Sequence, residues 1–458
     1  MIIRSINPAT EKINHSFTAL SYKKSEEIAK KVNGSFPNWK NLSIKERCDY
    51  MRRLASALRA KKDEYAKLIT LEMGKPISQA TAEVEKCAWT AEFFAEKSED
   101  WLKDEPVQID GKHAVVSFEP IGEILAIMPW NFPFWQALRC AIPAMVAGNV
   151  VLLRHSNVVP MCALAIEEAF KLAGFPKDTF RTILADHATV DKLIQSEYVA
   201  GVSVTGSVET GKAVAKLAGE SLKKTVLELG GSDPFIVLDD AHIEFACENA
   251  VDARLISNGQ SCICAKRMIV TKKNAAAFTE HFTKLMSAAK VGDPFDKNIM
   301  VGPVVSKRQL LKLKEQVDDA RKKGAKIECG GKAIDKLGFF FEPTVISGVK
   351  KNMLVYNEEV FGPIAAVIVA EDEEDAIRIA NGSRFGLGAS IWTSDIQKGE
   401  KLAKRIESGM IFVNEITKSD PRLPFGGIKQ SGIGRELSRY GLLEFTNIKP
   451  IVAPYDKN

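Results

Sequence analysis

The stretch NGQSCICAKR, residues 258–267, sets Cys262 and Cys264 one residue apart, behind a Gly-Gln pair and ahead of Lys266-Arg267. Two cysteines at that spacing fit a nucleophile, a metal clip, a disulfide or two small core residues. A metal needs further ligands, and the six histidines include no His-x-x-x-His pair. The eight cysteines are scattered without the repeated spacing of a secreted disulfide framework, so reduced thiols are expected. A thiol reacts as its thiolate, which helix N-termini and nearby cations favour and an apolar core disfavours. Asn258, Gly259 and Gln260 read as a loop after a helix ending near Ile256, which predicts an irregular backbone and an accessible thiol at Cys262.

Two other positions carry polar groups that packing does not require. Glu228 in LELGG ends an apolar strand beside Gly230 and Gly231, and Asn131 in PWNFP lies between Pro129 and Pro133 after the strand EILAIM. GSVETGKA, residues 206–213, nearly fits the phosphate loop G-x-x-x-x-G-K-[ST], but Ala213 has no hydroxyl for magnesium. Gly206 and Ser207 nonetheless follow a strand and open a helix, where backbone N–H groups and the helix dipole suit an anion. A dinucleotide pyrophosphate and an ordinary strand-to-helix turn both fit this fragment. No GxGxxG follows a strand, which speaks against a standard Rossmann fingerprint.

Groups this far apart in sequence need a fold that brings them to one cleft, and 458 residues suggest roughly three domains. The first hundred residues are mostly helical in pattern. One helix is predicted from the capping box Ser43-x-x-Glu46 to Gly74 and Pro76, and a second over about Ile77 to Trp101. Asp110-Gly111 then reads as a hairpin turn, a plausible oligomer arm. From Ile121, apolar runs such as EILAIMPW, NVVLLR and VAGVSVTG alternate with helical stretches, the βαβ pattern of a doubly wound sheet. A second α/β alternation follows TVLELGGSDPFIVLDD, with helices near 243–256, 274–289 and 307–323 and strands at RMIVT, AAVIVA and GASIWT. KPIVAPYD reads as a last strand able to pair with a neighbouring subunit's hairpin.

Composition excludes several classes. Hydrophobic residues make up 45% and charged residues 26%, as in a well-packed globular protein. The net +5 is spread along the chain with no basic arm, so nucleic acid is not an expected partner. MIIRSINPAT lacks a basic segment followed by an apolar stretch, and no apolar run reaches membrane-spanning length, so a cytoplasmic location without membrane attachment is expected.

Six blocks, PWNFP, TGSVETG, LELGGSDP, NGQSC, EEVFGP and PFGGIKQSGIGRE, resemble the aldehyde dehydrogenase superfamily in order and spacing over nearly the whole chain. The resemblance implies an α/β fold with a non-standard Rossmann-like cofactor domain (1–104 and 120–229), an α/β catalytic domain (230–430) and a β-strand oligomerisation arm (105–119 and 441–458). A homodimer or homotetramer is expected. By the same resemblance Cys262 is the nucleophile, Asn131 the oxyanion donor with the Cys262 N–H, and Glu228 the base that activates water. Trp130, Gly206, Ser207, Glu359 and Phe361 would hold the dinucleotide, with Glu359 on the nicotinamide ribose and Phe361 beside the ring.

Where the family usually reads Lys-Pro-x-Glu, this chain has Arg154-His155-Ser156-Asn157. The family's Glu chelates the adenosine ribose diol and repels a 2′-phosphate. Asn157 cannot repel it and Arg154 could pair with it, so NADP is expected to be accepted, and even preferred, alongside NAD. The chain is most similar to the succinate-semialdehyde dehydrogenase branch, which places Arg139 on the substrate carboxylate and Trp135 and Phe132 along the entry tunnel. A structural helix salt bridge is the other reading of Arg139. A second arginine of part of that branch is replaced by Ile256, leaving Ser419 and Arg422 in TKSDPRLPF to compensate. Some members carry Cys-x-Cys and close a reversible disulfide, so Cys264 either caps Cys262 under oxidant or points into the core. A coenzyme A-acylating enzyme, a P-loop ATPase and a catalytically silent protein are the alternatives; Glu228, Ala213 and the three reactive residues respectively disfavour them.

Overall fold

The apolar runs of the sequence become the inner strands of two sheets in a computed structural model that describes residues 1–454. The first sheet runs in the order Gly432–Ile433, Lys224–Glu228, Val199–Thr205, Glu123–Met128, Val150–His155, Phe180–Ile183, parallel except for its Gly432–Ile433 edge. Glu123–Met128 and Val150–His155 are buried at every position. Parallel strands covered by helices on both faces have this continuous apolar pattern because neither face meets water. The second sheet runs Lys326–Cys329, Thr344–Ser347, Ile364–Ala370, Ala265–Thr271, Asp233–Val237, Gly388–Trp392, Met410–Val413, with only the first strand antiparallel.

The expected hairpin turns at Asp110-Gly111, with Gly111 at φ +70° between Glu105–Ile109 and Lys112–Pro120. The expected closing strand is Thr446–Pro454, while Tyr455 and Asp456 of KPIVAPYD and the rest of 455–458 lie outside the described residues. Its partner is not a neighbour's hairpin. It pairs antiparallel with its own chain's Lys112–Pro120 from Thr446↔Pro120 to Pro454↔Lys112, because the Ser438–Leu443 helix delivers it there directly. The resulting three-stranded sheet exposes Val107, Ile109, Ile448 and Val452 and leaves the Glu105–Ile109 edge without a strand partner among the described residues.

Two features of the N-terminal region depart from the sequence pattern. The single helix expected from Ser43 is two, Ile44–Ala60 and Lys62–Met73, separated at Lys61 with φ −108° and ψ 14°. The buried stripe passes from Leu58 to Tyr65, seven residues on, so apolar periodicity alone does not register the break. The capping box Ser43/Glu46 and the left-handed Gly74 at the far end are both present. A mostly exposed hairpin, Ile2–Ile6 with Ile13–Thr18, precedes the helices where only helical pattern was expected. Among the described residues no helix is long and apolar enough to cross a membrane, and no group of three or more His, Cys, Asp or Glu could hold a metal.

Candidate active site

The Ile243–Leu255 helix stops before Cys262 in a 3-10 turn whose Ser257, Asn258 and Gly259 have φ of 52°, 59° and 72°. Left-handed backbone is costly for residues with a Cβ and persists only where neighbours enforce it. Here Asn258 enforces it: Nδ2 donates to the carbonyls of Gly74 (2.8 Å) and Pro303 (2.9 Å), and Oδ1 accepts from Gly302 N–H (2.7 Å). Buried Arg254 donates to the carbonyls of Gly259, Ala265, Val360 and Gly362, tying the cysteine loop to the Glu359–Phe361 segment. Lys266 Nζ donates to the carbonyls of Ser261 (2.8 Å) and Cys262 (2.6 Å) and lies 3.6 Å from Glu359.

Cys262 stands where two cavities meet. One, of about 210 Å³, is lined by Trp130, Asn131, Thr205, Gly206, Ser207, Gly230, Glu359 and Phe361. The other, of about 230 Å³, is lined by Lys86, Phe132, Trp135, Arg139, Ile256, Ser419 and Phe425, and both include Cys262 and Gln136. A wider groove of about 1100 Å³ along residues 396–425 contains none of Cys262, Asn131 and Glu228. Asn131 Nδ2 donates one N–H to Gln260 O (2.9 Å), and its Oδ1 accepts from Gln136 Nε2 (3.0 Å). That fixes the amide and leaves one N–H to spare, since an amide nitrogen carries two. The Cys262 N–H has no acceptor among the described residues.

The Cys262 thiol borders both cavities, as an accessible thiol should. It is half-buried, and its low-polarity surroundings push it up to about 12, against the pull of Arg139 and Lys266. Cys262 is therefore a neutral thiol at rest. Cys264 is fully buried and donates Sγ–H to Ile256 O (3.5 Å), so in this structure it points into the core, and both sulfurs are free thiols.

The first cavity has the chemistry of a dinucleotide site. Ser207 caps the Val208–Glu220 helix, accepting from Thr210 N–H, so the helix's first N–H groups face the space beside Gly206. Glu359 is anchored by Gly231 N–H (3.2 Å), and Phe361 meets Trp130 edge-on at 5.6 Å. The Oδ1 of Asn157 is buried without a hydrogen-bond partner, and Arg154, Ser156 and Asn157 lie outside the lining of this cavity. Ser156 N–H donates to His155 Nδ1 (2.9 Å), leaving Nε2 to donate to Pro133 O (2.9 Å); burial pushes this imidazole down to about 4. Arg154 is more committed than expected: Nε and Nη2 both donate to Ala185 O (3.3 and 3.2 Å), and only Nη1 lacks a protein acceptor among the described residues.

Three candidate residues beyond the cysteine loop have partners or placements that the sequence does not show. Arg139 borders the second cavity, but its Nε pairs with Glu436, a buried carboxylate, and its guanidinium stacks over Phe425 at 4.2 Å. Nη2 lies 3.4 Å from Thr205 Oγ1 and Nη1 has no protein acceptor among the described residues, so the ion pair at Nε leaves guanidinium donors at the wall of this cavity. Phe425 and Glu436 exchange backbone hydrogen bonds of 2.7 Å, which folds GGIKQSGIGR back on itself and brings Glu436 inward. Arg422 lies outside the cavity, exposed and held bidentately by Asp420 at 2.8 and 2.6 Å. Glu228 is buried with both oxygens unpartnered and borders neither cavity; its carboxyl lies close to Gly426, beside the Arg139–Glu436 pair. Burial and then the Glu436 charge push it well above the usual carboxylate range, with Arg139 and Arg435 pulling back.

Four contributors escaped sequence reading: Gln136, Lys266, Glu436 and Lys86. Glu436 stands in the glycine-rich block itself, where a carboxylate among glycines was a usable signal. Lys86 stands three residues after Glu83 and one before Cys87, both buried on the Ile77–Trp101 helix, which marks it as a charge on the edge of a buried face.

The chain matches the model of the aldehyde dehydrogenase family over residues 1–451. It is 45% identical over 451 residues to a probable succinate-semialdehyde dehydrogenase (NADP+) of Synechocystis sp., covering 98% of this chain and 99% of that one. To succinate-semialdehyde dehydrogenase (NADP+) 1 of Mycobacterium tuberculosis it is 42% identical over 454 residues, with the same coverage. The crystal structure of a Streptococcus pyogenes succinic semialdehyde dehydrogenase in complex with NADP+ superposes with a TM-score of 0.96 at 36% identity, over 99% of this chain and 100% of that one. Together with a cysteine at the junction of a dinucleotide-type cavity and a second, largely apolar one, these likenesses establish that the chain belongs to the aldehyde dehydrogenase family.

Proposed function

We propose that the protein oxidises succinate semialdehyde to succinate with NADP+, NAD+ serving as well, in the cytoplasm and as a homo-oligomer built through the 105–119 and 441–454 strands. The observation that carries the chemistry is Cys262 at the meeting point of two cavities, one of which Asn131 also lines. The relatives' names support the substrate and cofactor. Eight free cysteines support a reducing compartment. Two sheets, one within residues 123–228 apart from its Gly432–Ile433 edge and one within 233–413, support a division into a cofactor domain (1–104, 120–229) and a catalytic domain (230–430).

Once the Cys262 thiol has given its proton to solvent in the cavity, the thiolate sulfur adds to the aldehyde carbon, forming the C–S bond while the carbonyl electron pair moves to oxygen. The spare Asn131 N–H and the unpaired Cys262 N–H hold that oxyanion. When bound, the dinucleotide supplies the acceptor for the hydride lost from this carbon, which leaves a thioester on Cys262. Glu228 then takes a proton from water, the resulting hydroxide adds to the thioester carbon, and the C–S bond breaks to release the acid and the thiolate. A carboxyl whose proton affinity is raised by burial is a better base than an exposed one, and Glu228 is so placed. Reaching the thioester requires its side chain to turn from Gly426 toward Cys262.

Rising absorbance of reduced dinucleotide on adding succinate semialdehyde and NADP+ tests this reading; equal rates without the aldehyde would sink it. On cofactor choice, Asn157→Glu should lower kcat/KM for NADP+ by about tenfold or more while NAD+ gains, because a carboxylate beside a 2′-phosphate is repelled. Parallel titrations of both dinucleotides check this, and an unchanged ratio would remove Asn157 from the adenosine ribose.

A further inference from the structure

The helix that follows Asn131, Pro133–Val146, cannot cap itself: Phe132 at its N-cap offers no side-chain acceptor, and Pro133 has no N–H. Gln136 N–H already reaches Phe132 O (3.0 Å), so the N–H groups of buried Phe134 and Trp135 are the ones left over. Glu83, from the Ile77–Trp101 helix, takes both on Oε1 (3.0 and 3.1 Å). One turn earlier on the same face of that helix, Gln79 Oε1 takes the N–H of Ser257 (2.7 Å), in the left-handed turn that leads to Cys262. We infer that Gln79 and Glu83 are positioning residues for the reaction, a single helical turn setting the separation between the cysteine loop and the oxyanion donor Asn131. The inference rests on the roles given above to Cys262 and Asn131.

The two acceptors are backed by a rigid frame. Glu83 Oε2 accepts from Lys75 Nζ in an almost fully buried ion pair, and the same ammonium lies 3.5 Å from the centre of the ring of Phe132, the residue after Asn131. Lys75 follows Gly74, whose carbonyl accepts from Asn258 Nδ2 (2.8 Å), so the Gly74-Lys75 step also joins the two segments. Ser257 is held from both sides, since its Oγ donates to Asn131 O (3.3 Å). A buried ion pair is costly unless its remaining hydrogen bonds are met, and here the two helix N–H groups meet them. A carboxylate also suits the positive end of the helix. Gln79 and Glu83 cannot drift apart along one turn of an intact helix, and a misplacement of about 1 Å at reacting groups is enough to slow a reaction strongly.

The test reads the first-turnover reduction of dinucleotide by stopped flow with succinate semialdehyde, alongside aldehyde KM, dinucleotide affinity and melting temperature. Gln79→Met and Lys75→Met/Glu83→Met delete an acceptor without stranding a buried charge, whereas Gln79→Glu and Lys75→Met/Glu83→Gln keep an acceptor in place. The deleting variants should slow the first turnover by about tenfold or more, with dinucleotide affinity and aldehyde KM near wild type. The keeping variants should retain most of the rate, whatever their melting temperatures. Added to Asn131→Ala, Lys75→Met/Glu83→Met should cost less than about threefold more, because the group it positions is gone. Equal first-turnover rates in keeping and deleting variants, or a full further loss on Asn131→Ala, would make Gln79 and Glu83 supports of the fold alone and overturn the inference. If Asn131→Ala by itself keeps the wild-type rate, the oxyanion reading falls and the inference with it. Gln79 is half-buried and stands apart from the buried pair, so its two variants decide the matter if the Lys75/Glu83 variants fail to fold.

Discussion

Cys262→Ala should lower kcat with succinate semialdehyde by about a thousandfold or more while leaving dinucleotide affinity near the wild-type value, since a missing nucleophile cannot be replaced by the groups that support it. Cys262→Ser should be as inactive. The surroundings of Cys262 push even a thiol up to about 12, so a hydroxyl there has no route to its reactive form. The same environment predicts slow alkylation of the free enzyme by iodoacetamide at neutral pH, accelerating as pH rises toward that value, because the thiolate is the reacting form. Absorbance assays on the two variants, with dinucleotide binding followed by protein fluorescence, read the outcome. Turnover in Cys262→Ala within about tenfold of wild type would move the nucleophile elsewhere.

Cys262, Asn131 and Glu228 were legible as sequence because each is a reactive group in a place that packing does not explain: a Gly-Gln loop, a pair of prolines, the end of an apolar strand. The inner strands were legible for the opposite reason, since total burial writes an unbroken apolar run. Four-residue strands such as Phe180–Ile183 and Lys326–Cys329 are too short to show a period, and they escaped notice. Electrostatic pairing was the least legible. The partner of the Arg139 Nε is Glu436, from a block almost three hundred residues away, and no local pattern announces it. Arg422 is different, because its partner Asp420 stands two residues away and could have been suspected.

Glu228→Gln should separate the two halves of the reaction. Addition of Cys262 to the aldehyde and loss of hydride do not use the Glu228 carboxylate, so the first turnover should proceed and yield about one reduced dinucleotide per subunit. Hydrolysis then lacks its base, and the steady-state rate should fall by about a hundredfold or more. Stopped-flow absorbance would show a burst and a slow phase, and intact-mass measurement would find the acyl group on Cys262. The pH dependence has a defined sign. In the wild type, burial and the Glu436 charge raise the proton affinity of Glu228, so the steady-state rate should climb as pH rises through a value above the usual carboxylate range, where the base becomes ionised. Glutamine has no such ionisation, and the slow phase of the variant should lose that limb. A variant with neither burst nor acyl adduct would place Glu228 before the thioester, as the group that takes the Cys262 proton. That outcome would be coherent with a thiol held neutral at rest, so the burst decides which proton Glu228 carries.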